Sequence, residues 1–313
     1  GLIAAIAAAR GLPEAALLVG GGSSALIFLA LPRWLPRGGR LLVLDPSYGE
    51  YAHVAEVVCG AHVARLALRP EEQFRVDLAA LARRVRRGVD LVVIVRPNNP
   101  TGSVIPRGEL EEFLRELPRR VVAWIDEAYV DYLGDSESLE AFAVGRPNVV
   151  VCKSLSKGLA LSGARAAYLA AAPERLAPLR ALVPPWAVSL PAQFAAIRAL
   201  GERAWYRARW RETPKLRSLL REELSTRLRA SASSLRAAAE VRDALPNALL
   251  VALPADGVAD AELIERCARH NVFVRELRSM GVAIGTRWVR VSVVPQAQHV
   301  TLASAIARAL QES

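Results

Sequence analysis

Four short runs of branched apolar residues, spaced through the first half of the chain, constrain its fold more than any other feature. They are LLVL at 41–44, LVVIV at 91–95, VVAWID at 121–126 and NVVVCKS at 148–154. A strand with one wet face alternates apolar and polar residues. The central residues of these runs are apolar without alternation, so each reads as a strand buried on both faces. Between them DLAALARRVRR (77–87) and PRGELEEFLREL (106–117) have helical periodicity, the second opening with proline and acidic residues as a helix start does. That alternation predicts an α/β fold with a mostly parallel central sheet and helices on both faces. The apolar start, LIAAIAAARGLPEAALLVGGG, is broken by Arg10, Gly11 and Pro13 and reads as a short helix and a strand, not a leader or a membrane span.

The rhythm changes near PERLAPLRALVPPWAVSLPAQ. An arginine-rich helical region follows, from about Pro191 to Arg229, and then the strand candidates ALLVALP, VFVREL and RWVRVSVV. This predicts a smaller C-terminal α/β domain. With the seam at Pro184 and Pro185, residues 1–185 form the large domain and 186–313 the interdomain helix and the small domain.

A hydrophobic fraction of 52% and a mean hydropathy of +0.21 over 313 residues place the chain among globular proteins and exclude disorder as its main state. The net charge of +10 invites an anionic partner. Its arginines are spread over several amphipathic helices, with no dense basic run or interleaved aromatics, which argues against nucleic acid. Cys59, Cys152 and Cys267 lack metal-ligand spacing and are too few to staple the chain. We expect packing cysteines, no metal, and a cytoplasmic protein.

Lysine occurs only at Lys153, Lys157 and Lys215, in a chain that otherwise uses arginine for positive charge. A lysine retained in KSLSKGLALSGARAAY (153–168) therefore points to amine chemistry. Lys157 lies between Ser154, Ser156 and Arg165, and a lysine beside cations and partly desolvated has a lowered pKa and forms imines. A surface lysine on a loop is the plain alternative for that residue alone. Asp126 ends the VVAWID strand, where open α/β sheets place their ligands, although an aspartate there also caps helices. VRPNNPTG sets Asn99 at the same edge, in what is otherwise an ordinary turn. GGGSSALIFLA offers Gly22, Ser23, Ser24 and a helix N-terminus as a phosphate cradle, a weak signal by itself. An imine-forming lysine, a strand-end acid with a tyrosine, Tyr129, three residues on, and an anion site jointly match one cofactor, pyridoxal phosphate.

With these motifs in place, the chain resembles the class I and II aminotransferases, fold type I of the pyridoxal-phosphate enzymes, over nearly its full length. The likeness is strongest to the branch holding histidinol-phosphate aminotransferase and threonine-phosphate decarboxylase. The resemblance implies that Lys157 carries the cofactor, Asp126 pairs with its ring nitrogen, and Asn99 and Tyr129 hydrogen-bond its phenolic oxygen. Tyr48, in DPSYGEY, stacks on the ring, and Gly22, Ser23, Ser24, Ser154, Ser156 and Arg165 hold the phosphate. Arg290, in WVRVSV, clamps a substrate carboxylate. Arg275, with Arg278 as a weaker candidate, meets a second anionic group.

The implied activity is transamination of an α-amino acid with a phosphorylated or otherwise anionic side chain. Decarboxylation of a phospho-amino acid is the alternative, favoured by PPWAVSLPAQ with Trp186 and Ser189, and a cofactor-binding module without catalysis is the third. A homodimer with a small-molecule substrate, and neither nucleic acid nor membrane as partner, goes with this. The resemblance also leads us to expect that the N-terminal arm of several dozen residues ahead of Leu2 is missing from this chain, the first residue being Gly1.

Overall fold

The computed structural model describes residues 1–231 and 239–312. Seven strands form the first sheet: β1 (Leu17–Gly20), β2 (Arg40–Asp45), β3 (His62–Ala67), β4 (Leu91–Val95), β5 (Val122–Asp126), β6 (Val149–Ser154) and β7 (Ala167–Ala170). Their order is β1-β7-β6-β5-β4-β2-β3. β7 runs antiparallel to both neighbours, and the rest of the sheet is parallel. Four more strands make a separate antiparallel sheet: β8 (Glu240–Asp243), β9 (Ala248–Ala252), β10 (Arg275–Glu276) and β11 (Trp288–Ser292), in the order β10-β11-β9-β8.

The unbroken apolar runs are explained by burial on both sides. Val92, Ile94, Ala123, Ile125, Val149 and Val151 face one core, while Leu91, Val93, Val122, Trp124, Val150 and Cys152 face the other. Each fully buried aliphatic side chain contributes about 1.5–3 kcal/mol. The second sheet has its own core, in which Leu249, Val251, Val289 and Val291 meet Leu220, Leu224 and Leu228 of the long helix Arg203–Ser231. The same helix inserts Trp210 into the first core, so it spans both.

Three strands lack the pattern that revealed the others. β3 and β8 are edge strands with half-exposed residues, and β7 is the alanine-rich AYLA, held between β1 and β6 by its pairing rather than by propensity. VFVREL supplies only the two residues of β10.

In the parallel sheet the carboxyl ends of β4, β5 and β6 lie side by side, Val95 opposite Asp126 and Asp126 opposite Cys152. The segments that leave this edge carry Asn99, Tyr129 and Lys157. Among the described residues no helix is long and apolar enough to cross a membrane.

Candidate active site

Asp126 is the last residue of β5 and almost completely buried. Its Oδ2 accepts a 2.7 Å bond from Tyr51 Oη and its Oδ1 a 2.9 Å bond from the Ala128 amide. Burial raises its pKa, and those two bonds oppose the rise by stabilising the anion. A cation placed against this carboxylate would hold it ionised. No helix begins at Asp126; only a short 3-10 turn, Val130–Tyr132, follows.

Lys157 sits past the end of β6, in a loop fixed by its neighbours. The Gly158 carbonyl accepts a 2.7 Å bond from Trp210 Nε1, and a Cβ at Gly158 would lie 2.5 Å from Asp131 Oδ2. The Lys157 side chain stays open to solvent on one side; partial desolvation, followed by the charges of Arg290 and Arg165, lowers its pKa, so its amine carries a nucleophilic lone pair more often than a free lysine does.

Both residues open onto a cavity of about 270 Å³. Ser23, Ser24, Tyr48, Asn99, Tyr129, Ser154, Ser156, Arg165, Arg275 and Arg290 also line it. Gly22 stands just behind, as N-cap of the helix Ser23–Trp34 at φ 94°, and a Cβ there would lie 2.4 Å from the Arg165 guanidinium. Arg165 itself has φ 52°, a left-handed conformation that a residue with a Cβ holds at a cost. Tyr48 lies edge-on to Tyr51 with ring centroids 6.0 Å apart, and burial with the nearby Glu50 carboxylate pushes its pKa up to about 12.

Some residues named from the sequence are engaged differently from what their motifs suggested. Ser24 Oγ donates to Glu50 at 2.9 Å, and Asn99 Oδ1 accepts a 2.7 Å bond from Arg290. Arg278 forms an ion pair with Asp260 at 3.2 Å and does not line the cavity. Trp186 is exposed outside it, and Ser189 caps the helix Leu190–Gly201. Sequence reasoning missed Tyr51, which bonds Asp126, and Ser162 and Met280, which line the cavity. Tyr51 had a visible signal, the second aromatic of YGEY; the other two had none. A larger cleft of about 740 Å³ lies elsewhere, where Arg217 and Arg221 both pair with Asp243. It lacks the convergence of lysine, acid and anion-binding groups.

Three features of the smaller cavity fit pyridoxal phosphate. Ser156 Oγ is buried without a hydrogen-bond partner among the described residues, beside Arg165 and the helix N-terminus at Ser23, which together suit a phosphate. Asp126 is a buried acceptor with no cation within ion-pair reach among the described residues, as a protonated ring nitrogen requires. Lys157 supplies an amine on the wall of the same cavity.

A mostly parallel sheet with an amine, a buried acid and an anion cradle at its carboxyl edge defines a fold type I pyridoxal-phosphate protein. The model of the family "Aminotransferase class I and II" matches residues 2–308, and the chain belongs to that family. It is 30% identical to histidinol-phosphate aminotransferase 1 of Cupriavidus pinatubonensis, over 99% of this chain and 78% of the relative. To the histidinol-phosphate aminotransferase of Moorella thermoacetica it is 34% identical, over 64% of this chain and 52% of the relative, about half that enzyme's length. Among solved structures, histidinol-phosphate aminotransferase from Sinorhizobium meliloti in complex with pyridoxal-5'-phosphate superposes with a TM-score of 0.83 at 23% identity, covering 99% of this chain and 80% of that one. L-threonine-O-3-phosphate decarboxylase from Porphyromonas gingivalis gives 0.78 at 22% identity, covering 99% of this chain and 88% of that one.

Proposed function

We propose that the chain is an aminotransferase using pyridoxal phosphate on an amine substrate that carries an anionic group, in the manner of histidinol-phosphate aminotransferase. The observation that carries the substrate class is the pairing of Arg275 with Arg290. They stand directly opposite on β10 and β11 and both line the cavity of Lys157 and Asp126. Two like charges opposite each other on neighbouring strands repel, and an anion between them relieves the repulsion.

Pyridoxal phosphate, when bound, supplies an aldehyde for amine condensation and a ring that accepts the electron pair released at the substrate's α-carbon. Asp126 would supply the anion opposite the ring nitrogen. Arg165, Ser156 and the helix N-terminus at Ser23 would hold the phosphate, with Tyr48 and Tyr129 bounding the ring. Lys157 Nζ, displaced as a free amine, would take the α-proton and return it. Arg290 would offer its guanidinium fork to a carboxylate or phosphate, exchanging its present bond to Asn99.

We further propose a homodimer in the cytoplasm. Exposed Trp186, Leu190, Phe194 and Ile197, the last three on one helix face, supply an apolar surface for a second copy, and three buried free thiols suit a reducing compartment.

The deciding experiment gives the cofactor-loaded protein histidinol phosphate and threonine phosphate in turn. Histidinol phosphate has no carboxylate, so it reports transamination alone, read as conversion of the cofactor to its amine form. Carbon dioxide released from threonine phosphate, without conversion by histidinol phosphate, would replace the aminotransferase by a decarboxylase. Silence with both, the cofactor still bound, would leave a binding module.

A further inference from the structure

Beneath the site lies a buried polar cluster that takes no part in the chemistry above. Glu127, the residue after Asp126, is fully buried; Glu140 and Ser138 are nearly so. Ser138 Oγ lies 2.6 Å from Glu127 Oε2 and 2.9 Å from Glu140 Oε2, and the Glu140 amide points at the same oxygen from 3.3 Å. A serine hydroxyl has one proton to donate. With both glutamates ionised, one of the two short oxygen–oxygen contacts would hold no hydrogen and face lone pair against lone pair.

The other partners decide which carboxyl carries the missing proton. Glu140 receives Arg10 Nε at 2.6 Å and Tyr168 Oη at 2.5 Å, so it is held as an anion. Among the described residues no cation lies within ion-pair distance of Glu127; its other side-chain bond there is from the Leu139 amide to Oε1, at 2.8 Å. The ammonium of Lys153, whose charge acts on it, is committed to Asp131 at 2.8 Å.

We infer that Glu127 is a neutral carboxylic acid that positions the turn carrying Asp126 and Tyr129. Its Oε2–H donates to Ser138, Ser138 donates to Glu140, and its Oε1 accepts the Leu139 amide, so each donor finds an acceptor. The Glu127 amide meanwhile bonds the Cys152 carbonyl at 2.9 Å, which joins this turn to the strand leading to Lys157. The proton also leaves Asp126 without a second negative charge as its immediate chain neighbour.

Burial, together with the Glu140 charge and against the opposing Lys153 charge, pushes the Glu127 pKa up to about 7. A carboxyl raised in the folded state contributes most at low pH, and its contribution is lost as pH rises through the folded value. The turn is therefore tightest in acid and loosens above about 7.

The inference concerns the chain's own hydrogen bonds and stands apart from the cofactor reading. It is tested on the full chain by infrared spectroscopy with glutamate labelled at its side-chain carboxyl. We expect a protonated-carboxyl band at neutral pH that shifts with the label and is lost on alkaline titration. We also expect Glu127→Gln, whose amide repeats the same donor and acceptor, to hold its unfolding midpoint between pH 4.5 and about 7, the ordinary and the folded pKa, while the wild-type midpoint falls over that interval and Glu127→Ala is low throughout. A spectrum without a label-sensitive acid band at neutral pH would overturn the assignment, whether or not the variants fold. So would a Glu127→Gln protein that loses stability in parallel with Glu127→Ala.

Discussion

Tyr51 donates a 2.7 Å hydrogen bond to Asp126, and Trp124, on the same strand as Asp126, donates a 2.8 Å bond to Tyr51. All three side chains are buried, so the indole steadies the phenol and the phenol steadies the anion that the ring nitrogen would meet. Burial raises the pKa of this acid, and the bond from Tyr51 is the first of the interactions that oppose the rise.

Tyr51→Phe removes the bond that holds the Asp126 pKa down. A hydrogen bond to a charged group is worth about 1.5–3 kcal/mol. The Asp126 pKa should therefore move further up, and cofactor affinity should fall by about tenfold or more. The loss should be largest on the acid side, because the anion is the binding form. Cofactor titrations across pH check this; an acid limb at the wild-type position would sink it. The indole of Trp124, left without its acceptor, should lower the melting temperature as well.

Arg290→Lys keeps the charge and loses the fork. We expect the KM for a carboxylate-bearing amino donor to rise about tenfold with kcat changed less, since the contact is made before and during the reaction alike. Arg275→Gln should weaken doubly anionic substrates and leave singly anionic ones nearly unaffected. Steady-state kinetics on a matched pair of substrates, with and without the phosphate, separates the two arginines. Equal losses on both substrates for Arg275→Gln would remove it from the site.

Gly102 closes the turn after Asn99 at φ 73°, and a Cβ there would fall 1.9 Å from the Ala244 carbonyl oxygen. The obstacle is backbone, not a side chain that can swing aside. Gly102→Ala should destabilise the protein by about 2–3 kcal/mol. It should also displace Asn99, so that cofactor affinity falls along with the urea midpoint. A variant with wild-type stability would show that the turn and the second sheet do not meet as closely as described.

Asp126, Asn99 and Lys157 were legible in the sequence because each follows an unmistakable buried strand, and a parallel sheet brings such strand ends to one edge. The residues that support them were not. Tyr51 reaches Asp126 across 75 residues and Arg10 reaches Glu140 across 130, and no local pattern reports such separations. β7 was hidden for a related reason: AYLA has helical composition, and only its pairing with β1 and β6 makes it a strand. Arg275 and Arg278 looked alike as candidates. Strand register placed the first on the cavity, and Asp260 claimed the second.

Lys153, the other lysine of the KSLSK stretch, is as buried as its core neighbours and pairs with Asp131 at 2.8 Å. Asp131 abuts the backbone at Gly158, so the pair links the turn bearing Tyr129 to the loop bearing Lys157. Removing Lys153 leaves the buried Asp131 charge with only the more distant Arg10 guanidinium, at 4.0 Å, and breaking a buried pair costs up to about 3–5 kcal/mol. Lys153→Met should lose about that much in urea unfolding. Making Asp131 neutral as well, in Lys153→Met/Asp131→Asn, should restore about half of the loss, because the orphaned charge is gone. Cofactor trapping on Lys157 by borohydride should weaken in the single variant and recover in part in the double one. If the losses of Lys153→Met and of Asp131→Asn alone summed to that of the double variant, the lysine and the aspartate would not be acting as a pair, and the loop of Lys157 would owe its position to Trp210 and the sheet alone.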